Sequence, residues 1–191
     1  MKPTKKDRTR REIMEVAKNI IREKGHDALT VRYLAQVTGY SYTNLYYYFR
    51  DLPAFLWALR LDMIEDMIGG LSVDPETVPG EEFFQSLCVY VDYFFRHPNV
   101  FRFFYFYPFV PPEGDESQQG LEERFRSIWQ DSFAGLLREG ILQPNEIELA
   151  SKTIIYALQG FILLHISAGG PIHGVWREDL RQIINQILKK D

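Results

Sequence analysis

The sequence predicts an all-α protein in two parts, and three observations carry that prediction. Apolar residues recur three and four positions apart along most of the 191-residue chain, the period of a helix with one buried face. Ser, Thr or Asp stands ahead of several of these stripes and glycine behind them, as helix starts and stops require. The charge is also divided: residues 1–50 hold eleven Lys and Arg against five Asp and Glu, whereas residues 51–191 hold eleven against twenty-one. The net charge of −4 therefore hides a basic end on an acidic body, which suits either a polyanion partner or a solvated charged face.

Taken in order, the first helix is predicted over 10–24. Thr9 and Glu12 have capping-box spacing, Ile13, Val16, Ala17, Ile20 and Ile21 form one stripe, and Gly25 closes it. Arg8, Arg10 and Arg11 then read as a tail before that helix, either solvated or tracking phosphate. Thr30 caps a second helix, with Leu29 and Leu34 placed as a hydrophobic staple, ending near Val37 ahead of Gly39. Ser41 caps a short third helix through Phe49, and Asp51 a fourth that runs to Gly69 and Gly70.

The third helix poses a steric question, because Tyr46, Tyr47 and Tyr48 are consecutive and neighbours lie about 100° apart around the axis. Leu45 sets the inward face, which Tyr48 and Phe49 share three and four residues on. Tyr42, Thr43, Tyr46 and Tyr47 therefore point elsewhere, either as half-buried amphipathic fillers or toward a phosphate backbone to which a phenol can donate. A helix, a glycine-bearing turn and a short helix with a core leucine make up the helix-turn-helix arrangement, whose second helix enters the major groove.

Past Gly70, "LSVDPETVPG" reads as a linker. Helices follow over 81–96, 121–138, 146–167 and 176–189, with an aromatic-rich stretch, "NVFRFFYFYPFV", broken by Pro108, and an acidic loop at "PPEGDESQQG". The predicted organisation is a helix-turn-helix domain over 1–51, a connecting helix over 52–70 and a helical domain over 71–191, about nine helices in all. In the last domain Trp176, Leu180, Ile183, Ile184, Ile187 and Leu188 form a stripe, and residues 154–164 are apolar nearly all round, which calls for cover from within the domain or from a second copy.

Other function classes find little support. Cys88 is the single cysteine, so no internal disulfide forms, and on a helical face it behaves as a small hydrophobe. His26, His97, His165 and His173 lack metal-ligand spacing, and "AGGPIHG" lacks the ending of a phosphate loop, so no metal, cofactor or catalytic residue is expected. The basic start runs into a charged amphipathic segment, and the apolar run from Ile154 to Ile166 is short for a membrane span, so a cytoplasmic protein with no membrane partner is expected.

The stretch from Thr9 to Leu59 resembles the DNA-binding domain of tetracycline-repressor (TetR) family transcription regulators. The resemblance rests on Ala17, "EKG" ending at Gly25, "LTVRYLA" from Leu29, Gly39, Ser41 and "LYYYF" from Leu45. It implies that Arg32, Tyr42, Thr43, Tyr46 and Tyr47 meet double-stranded DNA and that Thr30 and Ser41 contact phosphate at helix N-termini. Members often carry lysine where Leu52 stands, so that phosphate contact is either lost or taken over by Arg50.

The resemblance further implies a homodimer through the last two helices, for which Ile155, Leu158, Ile162, Leu180, Ile184 and Ile187 are the candidates. It implies an effector cavity among the middle helices as well. The aromatic content suits a hydrophobic or cationic effector, with Phe104, Tyr105, Trp129, Phe133, Tyr156 and Phe161 as walls and Asp92 or His165 as an orienting group, against the alternative of an aromatic-rich core. The expected function is that of a ligand-responsive repressor binding a palindromic operator. The alternative is a helical small-molecule-binding or enzymatic protein that no longer binds DNA.

Overall fold

The computed structural model describes residues 4–70, 79–114, 119–120, 133–170 and 175–188. Among these residues the chain is all-α, with nine helices: α1 (Lys5–Lys24), α2 (Val31–Thr38), α3 (Tyr42–Tyr48), α4 (Leu52–Gly69), α5 (Pro79–Arg96), α6 (Pro98–Phe106), α7 (described over 133–138), α8 (Ile147–Ser167) and α9 (Trp176–Leu188). A 3-10 turn, His26–Ala28, joins α1 to α2. Of the linker expected over 71–80, residues 71–78 lie outside the described residues and Pro79 and Gly80 instead open α5, two residues before the helix expected from 81; most of the helix expected over 121–138 also lies outside the described residues.

The chain forms two compact units, residues 1–67 with 97–121 and residues 68–96 with 122–191. In the first, α1 begins five residues earlier than its stripe predicts. Thr4, and not Thr9, is the cap: its hydroxyl accepts from the Asp7 N–H, and the Asp7 carboxylate accepts from the Thr4 N–H at 2.9 Å. The same capping chemistry is available at both threonines, and the earlier one wins because nothing between them interrupts a helix. Gly25 ends α1 with φ 83, a conformation that side-chain-bearing residues avoid. Ile13, Met14, Ala17, Ile20 and Ile21 are buried beneath it.

Lys18 is buried on that same helix, and its ammonium meets Glu15 at 2.9 Å, Asp62 at 2.5 Å and Asp66 at 2.8 Å. Burial alone would lower the lysine pKa, but the three carboxylate bonds outweigh it and raise it. The cluster ties α1 to α4. On the other side of α1 lies α6, whose Asn99 amide donates to the Arg22 carbonyl at 3.2 Å. The His26 ring meets Phe103 and Tyr107, and Phe109 packs on Trp57 and under the Arg60 guanidinium. The aromatic stretch expected in the C-terminal domain thus packs with the N-terminal helices.

In the second unit, α5 packs against α8 and α9. Phe83, Leu87, Val91, Phe94, Leu136, Ile154, Leu158, Ile162, Leu180 and Ile184 are buried there, on α5 and α7–α9. Arg181 of α9 grips Glu81 through two bonds of 2.9 and 2.8 Å and lies 3.9 Å from the Phe84 ring centre. Cys88 is buried, and burial pushes its thiol up to about 11, which leaves it a packing residue. The 21-residue α8 is long and apolar enough to cross a membrane by length and composition, a test that core helices of soluble proteins also pass.

Candidate nucleic-acid interface

Local chemistry builds the candidate surface around α2 and α3. The Thr30 hydroxyl accepts from the Tyr33 N–H at 3.1 Å and the Ser41 hydroxyl from the Asn44 N–H at 3.2 Å, so each side chain fixes the first turn of its helix. Between them Gly39 takes φ 72, the left-handed turn that lets α2 stop and α3 start within three residues. Leu34, Leu45 and Phe49 are buried and anchor α3 from below, with Phe49 against Phe55 at 4.4 Å between ring centres.

That anchoring decides what α3 shows to solvent. Tyr42, Thr43 and Tyr46 are exposed, Tyr47 is 66% exposed, and Tyr48 is half-buried with its ring against Tyr47. Arg32 on α2 is exposed, as are Thr30 and Ser41. Each cap hydroxyl uses a lone pair on the helix and keeps its proton for donation outward. Arg50 is exposed and its guanidinium lies 3.0 Å from Asp51, whose carboxyl is held low first by the Ala54 N–H and then by Arg50. Leu52 lines a shallow apolar groove with Val31, Leu34, Leu45, Tyr46, Phe49 and Phe55, so the position packs instead of presenting a charge.

One part of this surface escapes the sequence reading. Since α1 starts at Lys5, the residues expected as a tail stand on a helix beside α3. The Lys6 ammonium sits 4.7 Å over the Tyr47 ring centre, the Arg10 guanidinium 5.3 Å over that of Phe49, and the Tyr40 hydroxyl donates to Glu12 at 3.2 Å. The Thr4 and Asp7 cap was the signal that could have found it.

The candidate effector residues are distributed over both units. Phe104 is buried and Tyr105 exposed on α6, in the first unit. In the second unit Phe133 is buried against Phe83, Asp92 is ion-paired with Arg96, and Tyr156 is 72% exposed on α8. Trp129 lies outside the described residues. Phe161 and His165 do come together, 4.2 Å apart between ring centres, with Phe95 and then Trp176 beside them. The His165 Nδ1 lies 2.8 Å from the Phe161 carbonyl, which can only accept, so the proton is on Nδ1. Among the described residues no group of three His, Cys, Asp or Glu is placed to hold a metal.

The candidate dimer residues differ in exposure within the single chain. Leu158, Ile162, Leu180 and Ile184 are buried inside their own chain, and Ile155 and Ile187 are half-buried. Helical periodicity finds an apolar face without saying what covers it, and here α5, α8 and α9 cover each other. The exposed apolar residues are Leu149, Tyr156, Leu163 and Leu164 of α8, with Ile183 of α9.

Comparison with known proteins agrees with this geometry. Residues 13–51 match the family model described as bacterial regulatory proteins, tetR family. Among solved structures, BioQ with its natural double-stranded DNA operator is 16% identical with a TM-score of 0.66, covering 94% of this chain and 98% of its own. FadR from Bacillus subtilis in complex with stearoyl-CoA is 15% identical at 0.67, covering 95% and 98%. The TetR family regulator PfmR from Thermus thermophilus is 22% identical at 0.64, covering 94% and 97%. At these identities the likeness is one of fold. No curated protein matches the chain.

Proposed function

We propose, from the premise that residues 13–51 are the N-terminal domain of the tetR family of bacterial regulatory proteins on a chain with the fold of such regulators, that this protein is a ligand-responsive, DNA-binding transcriptional repressor. The observation that carries the reading is the outward row of Tyr42, Thr43, Tyr46 and Tyr47 on a helix anchored from below by Leu45 and Phe49. With α3 in the major groove, Thr43 and Tyr42 near its N-terminus read base edges. The hydroxyls of Thr30, Ser41, Tyr46 and Tyr47, with Arg32 and Arg50, donate to phosphates and set the register.

The protein acts as a homodimer, since two copies of α3 are needed to read a palindromic operator. The surface for this is the exposed face of α8, where Leu149, Tyr156 and Leu163 stand seven residues apart with Leu164 next to Leu163, and a second copy can cover them. A small hydrophobic or cationic effector releases the DNA by binding the DNA-free state more tightly, a coupling of about 1–3 kcal/mol in typical systems. Phe95, Phe161, His165 and Trp176 are the aromatic group that supports such a site. The structure solved with stearoyl-CoA shows that a protein of this fold holds a ligand with a long apolar chain.

Selection of bound duplexes from a random pool, followed by anisotropy titration at several salt concentrations, tests the reading. A two-fold symmetric sequence whose affinity falls with salt is expected. Failure to enrich any sequence, with no salt-dependent binding, overturns it.

A further inference from the structure

Five cations, Lys5, Lys6, Arg8, Arg10 and Arg11, stand on the first two turns of α1, and Lys6 and Arg10 among them are exposed. The acidic residue in this stretch, Asp7, is committed to the cap, accepting from the Thr4 N–H and from the Thr4 hydroxyl at 2.7 Å. Lys6 and Arg10 are one helical turn apart and face the same way, toward α3. Among the described residues neither takes part in an ion pair. Each instead places its charge over a ring of the α3 segment, Lys6 over Tyr47 and Arg10 over Phe49.

Arg10 lies over a buried ring, whereas at Tyr47 an exposed cation on an exposed ring contributes little to folding. Tyr47 is the most exposed of the α3 tyrosines, so Lys6 shields no core there. What the contact does is position. The ring of Tyr47 is held on one face by Lys6 and at its edge by Tyr48, 5.2 Å away between centres. The ammonium is thereby kept over the face of the phenol ring at the edge of the helix proposed to enter the groove. Two donors, one charged, fit a single anionic oxygen cluster.

We infer that Lys6 and Arg10, carried rigidly on α1, form with Tyr47 a phosphate clamp on the DNA strand that borders the groove occupied by α3. The inference rests on the proposed DNA-binding function and adds to it a contact outside the helix-turn-helix. It also explains the basic end of the chain: the charge is mounted on a capped helix at a fixed distance from α3. Arg50, at the other end of α3, supplies the matching cation there.

Salt dependence of DNA binding reads the clamp directly, using the full chain, the duplex recovered by selection and an unrelated duplex of equal length. Each phosphate contact removed lowers the slope of log K against log salt by about 0.9. Lys6→Ala and Arg10→Ala are each expected to lose that much on both duplexes, whereas Lys6→Arg keeps the slope and Arg138→Ala, exposed on α7, leaves it unchanged. Combining Lys6→Ala with Tyr47→Phe is expected to weaken binding by less than the product of the two single effects, since both donors serve one phosphate. A wild-type slope in Lys6→Ala and Arg10→Ala, on a protein that binds the selected duplex, overturns the clamp alone. Loss of preference at one base position without a slope change also overturns it, in favour of groove reading. No binding by the wild type overturns the clamp and the proposed function together.

Discussion

Replacing Leu164 by glutamate separates the self-association surface from the core. Leu164 is 70% exposed on α8, so the substitution leaves the chain's own packing nearly unchanged. Covering a leucine side chain contributes about 1.5–3 kcal/mol, and a two-fold interface contains the residue twice, so the dimer loses about 3–6 kcal/mol before any cost of desolvating the new carboxylates. Since 1.4 kcal/mol is about tenfold, the dissociation constant rises at least about a hundredfold. Sedimentation velocity over a concentration series is expected to show a dimer for the wild type and a monomer for Leu164→Glu, with unchanged helical circular dichroism. Ile184→Glu behaves differently, because Ile184 is 2% exposed and the charge enters the core of its own subunit. That variant is expected to unfold. A Leu164→Glu protein as dimeric as the wild type refutes the assignment of the surface, and a folded Ile184→Glu monomer restores the buried stripe as the contact.

Three further outcomes are expected. Tyr47→Phe weakens binding nearly equally on all sequences at little cost in stability, whereas changes at Thr43 alter which duplex is selected; the reverse pattern in anisotropy titrations contradicts the roles given to α3. Lys18→Ala leaves Glu15, Asp62 and Asp66 facing one another, and because these carboxylates are about half exposed the cost is about 2–3 kcal/mol, below that of a fully buried pair, measurable by urea denaturation at pH 7. The lysine pKa is raised in the folded state, so its contribution is complete below the ordinary lysine value near 10.5 and disappears only as pH rises beyond it; a wild-type to Lys18→Ala difference that vanishes at neutral pH contradicts the cluster. Lipophilic acyl compounds and cations are expected to quench tryptophan fluorescence, through Trp176 beside Phe95, and to release the selected duplex; quenching without release refutes the coupling.

The elements that local chemistry specifies were legible in the sequence. Thr30, Gly39 and Ser41 each act within three or four residues of themselves, so α2, the turn and α3 could be placed to within a residue. Even the tyrosine triplet resolved correctly, because Leu45 alone sets the rotation of so short a helix. Where two local signals compete, legibility fails: Thr4 with Asp7 and Thr9 with Glu12 have the same spacing, and choosing the second hid the basic turns of α1. It fails again where the answer depends on distant neighbours. Leu158 and Leu164 are the same residue type on the same helix, one sealed and one open, and only the packing of α5 and α9 tells them apart. Phe103 and Phe161 likewise look alike in an aromatic-rich sequence yet belong to different units.

The return of residues 97–121 to the first unit bears on how the chain comes into being. A ribosome delivers α1 to α4 first, but Asn99 for the Arg22 carbonyl, Phe103 and Tyr107 for His26, and Phe109 for Trp57 emerge only after the whole of α5. The helices of the proposed DNA-binding surface are therefore left waiting, partly uncovered, for a stretch made some thirty residues later, while α5 must itself wait for α8 and α9. Neither half can be completed before the other has begun. A gene truncated after α4 yields four helices with an unfilled flank instead of a miniature DNA-binding protein, and a stop codon within α6 is as damaging to the N-terminal unit as a substitution inside it.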